Sequence, residues 1–255
     1  MKLSGDFRSR LLAREWLTGT FINLGSPVTA EIAGNAGYDY LVLDHEHGFG
    51  GEETLIHQLL ATAGTPAVPI VRIPVNDPTR FKRVLDAGAH GVMVPYVNTA
   101  AEARAAVTAM QYPPHGLRGV AKFNRGSGYS NNYEEYYTHA HEWLVLVAQL
   151  ETAEAVDNCE AIAAVPGVDV IFVGPNDLTH NMGIRDQFDH PRFVEALKRV
   201  SAAAAKHQKA AGILVHNPAL VAICRGLGYT FVSLGSDGGV VNAGLRQNLA
   251  VLKAK

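Results

Sequence analysis

The sequence predicts a single (β/α)8 barrel with one long insertion between its fourth and fifth strands. Three observations carry this. Eight short runs of apolar and β-branched residues recur along the chain, a helix-patterned segment follows each, and no linker or shift of composition divides the 255 residues. Continuous apolar runs suit parallel strands buried on both faces, and about 250 residues is an ordinary size for such a barrel. An open doubly wound sheet more often has about five to seven strands and a glycine-rich first turn. The first turn here, "INLGSP", offers no GxGxxG.

Taken in order, the strands are expected at "TGTFINLG" (18–25), "YDYLVLDHEH" (38–47), "AVPIVRIP" (67–74) and "GVMVPYV" (91–97). Four more are expected at "LVLVAQLE" (144–151), "VDVIFVGP" (168–175), "AAGILVH" (210–216) and "YTFVSLGSD" (229–237). Segments such as "TAAEARAAVTAM" and "HPRFVEALKRVSAAAAKHQ" lie between them, rich in strong helix formers. "GGVVNAGLRQNLAVLKAK" supplies the eighth helix. Ser26, Thr99 and Thr152 stand where helix caps belong, and Glu102, three residues after Thr99, completes a capping box. The glycines of "NAGYD", "ATAGT", "DAGAH" and "GLGYT" mark helix ends in the left-handed conformation.

Residues 113–141, "PPHGLRGVAKFNRGSGYSNNYEEYYTHAH", break the rhythm as the insertion. A long ordered loop is usually functional, and Tyr129, Tyr133, Tyr136 and Tyr137 give it contact area. The whole chain, 1–255, reads as one domain. Its formal net charge of −2 and lack of a basic cluster argue against nucleic acid as a partner. No apolar run reaches the length of a membrane span, and "MKLSGDFRSRLLAREW" lacks the apolar centre of a signal peptide. Cys159 and Cys224 fall in predicted helices without metal or redox spacing. A reduced, cytoplasmic protein is expected.

Active sites of such barrels sit at the C-terminal ends of the strands. The polar residues expected there are Asp44, His45, Glu46 and His47, then Arg72, Tyr96, Asn98, Gln149, Glu151, Asn176, Asp177, His216, Ser236 and Asp237. Glu151 and Asp177 end adjacent strands, and two carboxylates with substrate and water oxygens suit a hard divalent cation. Each has a plainer reading, Glu151 as a helix-start charge and Asp177 as a cap. Arg72 can hold a carboxylate or a developing oxyanion, or serve as a structural ion pair. In "DHEH" two histidines could ligate a metal, or Asp44 could orient His47 as a base; the residues alone leave both open. "VHNP" and "GSDGG" read as helix caps, the latter also as an anion site at the last helix.

Across roughly residues 18–250 the chain resembles the HpcH/HpaI aldolase family, metal-dependent class II pyruvate aldolases. "YDYLVLDHEHG", "VRIP", "LDAGAHGVMVPYVNTAAEARAAV", "YPPHGLRGV", "VAQLETAEAVDNCEAI" and "GVDVIFVGPNDLTHNMG" carry the resemblance in order. It implies cleavage of a 4-hydroxy-2-oxo acid to pyruvate and an aldehyde, with Mg2+, Mn2+ or Co2+ as cofactor. By position it makes Glu151 and Asp177 the metal ligands, places Gln149 beside pyruvate and Arg72 on its oxo oxygen, and makes Asp44 and His47 a proton-transfer dyad. Backbone amides around Asn176 and Asp177 would then receive the substrate carboxylate. It further implies a homo-oligomer, trimer or hexamer, with the insertion and final helix as contacts. His45 departs from the family's usual small or apolar residue, and is expected either to face the aldehyde pocket or to bond within the barrel. A citrate-lyase-like or malyl-CoA-type lyase, and a non-catalytic keto-acid-binding barrel, are the alternatives.

Overall fold

The computed structural model describes residues 5–254. A short helix, α1 (Asp6–Leu12), precedes eight parallel strands: β1 (Leu17–Ile22), β2 (Tyr40–Asp44), β3 (Val68–Arg72), β4 (Gly91–Val94), β5 (Val145–Leu150), β6 (Val170–Val173), β7 (Ala210–Val215) and β8 (Phe231–Ser236). Each strand bonds to the next and β8 bonds to β1, so the sheet closes as a barrel. The helices outside it are α2 (Pro27–Asn35), α3 (Glu52–Thr62), α4 (Pro78–Asp86), α5 (Ala100–Met110), α6 (Tyr133–Trp143), α7 (Ala153–Asp157), α8 (Cys159–Ala163), α9 (Pro175–Asn181), α10 (Pro191–Lys206), α11 (Pro218–Gly226) and α12 (Asp237–Lys253). Among the described residues no helix is long and apolar enough to cross a membrane.

Side chains alternate between the two faces of each strand, and two apolar layers result. One joins the strands to the helices. The other fills the barrel interior, where Tyr40 stacks on Phe231 with ring centroids 3.7 Å apart. Gly19 makes room for that ring, since a Cβ would stand 2.3 Å from it. α1 plugs the floor with Phe7 and Leu11, and its Arg8 pairs at 2.8 Å with the buried carboxylate of Asp169. α1 therefore closes the strand floor, and the strand-end residues stand at the opposite mouth.

The expected caps are present. Ser26, Thr99 and Thr152 accept bonds from the backbone N–H groups of Thr29, Glu102 and Ala155, and Thr99 with Glu102 forms the reciprocal box. Gly37, Gly88 and Gly228 are left-handed. Gly64 is not, contrary to expectation. At that helix end Thr65 donates its side-chain and backbone hydrogens to the Thr62 carbonyl, and no left-handed residue is required.

The insertion crosses the surface and ends in α6. Arg118 pins it. Its buried guanidinium lies 4.4 Å from the Tyr112 ring and 5.3 Å from the Tyr136 ring, and donates to Asp86 at 2.8 Å and to the Tyr136 hydroxyl at 2.9 Å. Tyr136, expected as outward contact area, is thus core; Tyr129 stays exposed. α12 is the opposite case. It buries no side chain and exposes Val240, Val241, Leu245, Leu249, Val251 and Leu252.

Candidate active site

β2 and β3 end side by side, with Asp44 paired to Arg72 in register. The Arg72 guanidinium, only 8 % exposed, donates from Nε to Asp44 Oδ1 at 2.9 Å and from Nη2 to Oδ2 at 2.7 Å. Its Nη1 lies 3.1 Å from Glu46 Oε2, and the guanidinium carbon sits 5.0 Å from the centre of the Phe21 ring. Burial pushes the Asp44 carboxyl up, but Arg72's bonds and charge outweigh it and hold the group below the usual carboxylate range.

The dyad suggested by Asp-x-x-His needs correction. Asp44 Oδ1 accepts the backbone N–H groups of Glu46 and His47, at 3.1 and 3.2 Å. Among the described residues no bond joins Asp44 to the His47 imidazole, which is 68 % exposed and nearest Glu46, at 3.9 Å. Asp44 is already taken up by a two-pronged guanidinium and those two backbone N–H groups. It therefore shapes the loop that carries His47 while its charge serves Arg72.

Glu151 follows β5 and is 1 % exposed. Its Oε1 accepts the Tyr96 N–H at 2.8 Å and its Oε2 accepts from Gln149 Nε2 at 2.6 Å. Burial raises its proton affinity and the charges of Glu46 and Asp177 add to this, so it is pushed up to about 7 against the pull of the Tyr96 N–H and Arg72. Burial, together with Asp44 and Asp177, likewise raises Glu46. Gly174 lets the Glu151 carboxylate lie against β6, since a Cβ there would be 2.5 Å from Oε2. Pro175 then starts α9 and sets Asp177 in its first turn. Asp177 Oδ1 accepts from the Tyr96 hydroxyl at 3.3 Å. Tyr96 thus touches both carboxylates, and holds a left-handed backbone at φ 51° to do so. Its place at a strand end was legible; its conformation carried no sequence signal.

A cavity of about 90 Å³ opens at the barrel mouth, lined by Phe21, His47, Arg72, Gln149, Phe172, Gly174, Pro175, Asn176, Asp177, Leu214 and His216, with Glu151 bonded to Gln149 behind that lining. Gln149 Oε1 is buried without a hydrogen-bond partner among the described residues. A larger cleft of about 540 Å³ between α7 and α10 contains surface pairs such as Arg199 with Asp157 and none of the strand-end groups. The apolar walls Phe21, Phe172 and Leu214 were not picked out from the sequence, because inward and outward apolar residues look alike in a strand buried on both faces.

Two strand-end residues turn elsewhere. His45 bonds Gln58 of α3 at 3.1 Å and, desolvated, titrates below the usual histidine range. It supports the barrel wall. The anion site considered at "GSDGG" is already filled: Asp237 Oδ1 accepts the N–H groups of Asn23 and Gly238, both at 2.8 Å, and Ser236 caps α12.

The HpcH/HpaI aldolase/citrate lyase family profile matches residues 17–243. A 5-keto-4-deoxy-D-glucarate aldolase of Klebsiella pneumoniae is 40% identical over 234 residues, covering 92% of this chain and 91% of that protein. One from Salmonella arizonae is 39% identical over 241 residues, 94% of each. A crystal structure of a HpcH/HpaI aldolase/citrate lyase family protein from Burkholderia cenocepacia superposes with a TM-score of 0.94 at 35% identity, covering 98% of this chain and all of that one. The chain belongs to the HpcH/HpaI aldolase/citrate lyase family. It is a carbon–carbon lyase of the class II aldolase type.

Proposed function

We propose that the chain reversibly cleaves a 4-hydroxy-2-oxo diacid of the 5-keto-4-deoxy-D-glucarate kind to pyruvate and an aldehyde that keeps the second carboxylate. Numbered from its oxo end, that compound carries the hydroxyl two carbons from the ketone, where a retro-aldol break yields pyruvate and tartronate semialdehyde. The observation that carries the reading is buried Glu151 behind half-buried Asp177, with Asp177, Arg72 and Gln149 lining a cavity sized for a small acid.

Burial first, and then the charges of neighbouring carboxylates, raise the proton affinity of Glu151 and Glu46, with Asp177 acting on both, which is how a site built for a cation reads without one. The donors are all oxygen, and Gln149 Oε1 stands unpartnered beside them. Among the described residues no three His, Cys, Asp or Glu side chains form a closed metal cage; two carboxylates completed by substrate and water suit Mg2+, Mn2+ or Co2+. Glu151 and Asp177 would hold the ion, which when bound supplies Lewis acidity at the 2-oxo acid and a sink for enolate charge.

The chain's own residues do the rest. Arg72 has N–H groups left over from Asp44 and Glu46 and places fixed positive charge where the 2-oxo oxygen becomes negative. Backbone N–H groups around Asn176 and Asp177 receive the pyruvate carboxylate at the start of α9. His47 takes the proton of the C4 hydroxyl. The C3–C4 bond breaks, its electron pair forms the enolate of pyruvate, and the proton returns to C3. The reverse sequence adds pyruvate to the aldehyde.

A homo-oligomer, trimer or hexamer, is part of the same proposal. It is supported by α12, whose apolar side chains are too many to leave in water on a stable monomer; light scattering at a mass near the 27.3 kDa of one chain would refute it. Two unpaired buried cysteines suit the cytoplasm. The test of function is pyruvate release from 5-keto-4-deoxy-D-glucarate with and without chelator. Turnover lost to EDTA and restored by Mn2+ or Mg2+ supports the reading. Turnover indifferent to chelator, or cleavage only of a coenzyme A thioester, overturns it.

A further inference from the structure

Alternate residues of β7 face the barrel axis. A Cβ on Gly212 would stand 2.5 Å from the Phe172 ring; Leu214, two residues on, lines the mouth cavity, and so does His216, two beyond that. The His216 ring lies 6.4 Å from Phe188, and its imidazole makes no hydrogen bond among the described residues. The other basic groups nearby are committed. Arg72 is held by Asp44 and Glu46, and His45 by Gln58, while His47 is the proposed proton carrier. Gln149, Asn176 and Asp177 line the side of the mouth that the pyruvate half takes in the reading above, which leaves the aldehyde half the β7 side. A carboxylate at the far end of the aldehyde then lies away from the ion site. It meets, on the β7 side, an imidazole with a free N–H.

We propose that His216 is a specificity-determining residue, donating a hydrogen bond to the distal carboxylate of the aldehyde half and so selecting anionic over neutral aldehydes. This rests on the pyruvate-aldolase reading above. Phe188 backs the ring, and Leu214 below it keeps the aldehyde carbon in an apolar wall next to the reacting centre.

The test is aldol addition of pyruvate to tartronate semialdehyde and to glyceraldehyde, which differ by a carboxylate in place of a hydroxymethyl group. The ratio of the two kcat/KM values is measured for wild type, His216→Phe and His216→Arg. Losing one charge-assisted bond should cut the ratio about ten- to a hundredfold in His216→Phe, and His216→Arg should recover much of it. A ratio that stays within about twofold of wild type in His216→Phe overturns the assignment. So does a fall shared equally by both aldehydes. Deuterium exchange at the pyruvate methyl in D2O, with no aldehyde present, separates the two levels. Exchange in wild type with an unmoved ratio refutes only the role of His216, whereas no exchange in wild type refutes the pyruvate-aldolase reading and this inference with it.

Discussion

Asp44→Asn tests whether Asp44 serves Arg72 or His47. Both partners of the ion pair are nearly sealed from water, and two bonds of 2.9 and 2.7 Å join them. The amide keeps one acceptor, turns two N–H groups toward a guanidinium and removes the charge that balances it. Leaving one member of a buried pair uncompensated costs about 3–5 kcal/mol. Glu46, 3.1 Å from Nη1, remains as a partial partner and points to the lower end. For a chain of this size about 3 kcal/mol lowers Tm by about 6–12 °C. A double-mutant cycle on thermal stability then assigns the partner. Asp44→Asn with Arg72→Met should show coupling above about 1.5 kcal/mol, and Asp44→Asn with His47→Ala coupling below about 0.5 kcal/mol. If Asp44→Asn melts within about 1 °C of wild type and reproduces the pH–rate profile of His47→Ala, the reasoning fails and the dyad read from Asp-x-x-His is right.

Four further outcomes are expected. Neutral Glu151 is favoured in the folded chain up to about pH 7, against 4.5 for an ordinary glutamate. Its stabilising share is therefore complete below about pH 4.5 and lost as pH rises through about 7. Metal-stripped protein should lose roughly 3 kcal/mol from this group between those limits, and Glu151→Gln should flatten that part of the Tm-against-pH curve; an unchanged slope contradicts it. Added Mn2+ should raise the Tm of wild type more at pH 8 than at pH 5.5, because ion and proton compete for the same oxygens. Arg72→Ala should leave the Mn2+ dissociation constant within about threefold while cutting kcat about a hundred- to a thousandfold, the loss of one oxyanion contact; retained turnover would remove Arg72 from the chemistry. Arg118→Ala should expose the insertion to trypsin at Lys122 and Arg125, since the Arg118 guanidinium is the group that meets Tyr112, Tyr136 and Asp86 together; a digestion pattern like wild type would show the insertion is held otherwise.

Where the sequence could be read, the signals were local or periodic. The strand runs, the Thr99–Glu102 box and the strand-end rule brought Arg72, Gln149, Glu151 and Asp177 to one mouth, because each depends on a residue's own neighbours or on one topological fact. Partner choice was less legible. Asp44 lies three residues from His47 and 28 from Arg72, yet parallel register sets it against the arginine. The left-handed backbone of Tyr96, which reaches both Glu151 and Asp177, falls on a residue type that gives no warning of it. Tyr136 looked like contact surface because the arginine that buries it, Arg118, lies 18 residues earlier in an irregular segment. His45 looked like a site residue because it sits among site residues, and only the turn after β2 directs it to Gln58.

The proposed cation site for the aldol chemistry is Glu151 together with Asp177. Calorimetric titration of metal-stripped wild type, Glu151→Gln and Asp177→Asn with Mn2+, run beside pyruvate release from 5-keto-4-deoxy-D-glucarate, tests that directly. Both variants should keep the wild-type fold by circular dichroism and lose Mn2+ binding and turnover together. A folded variant that keeps both, or keeps turnover after Mn2+ binding is gone, would contradict the site.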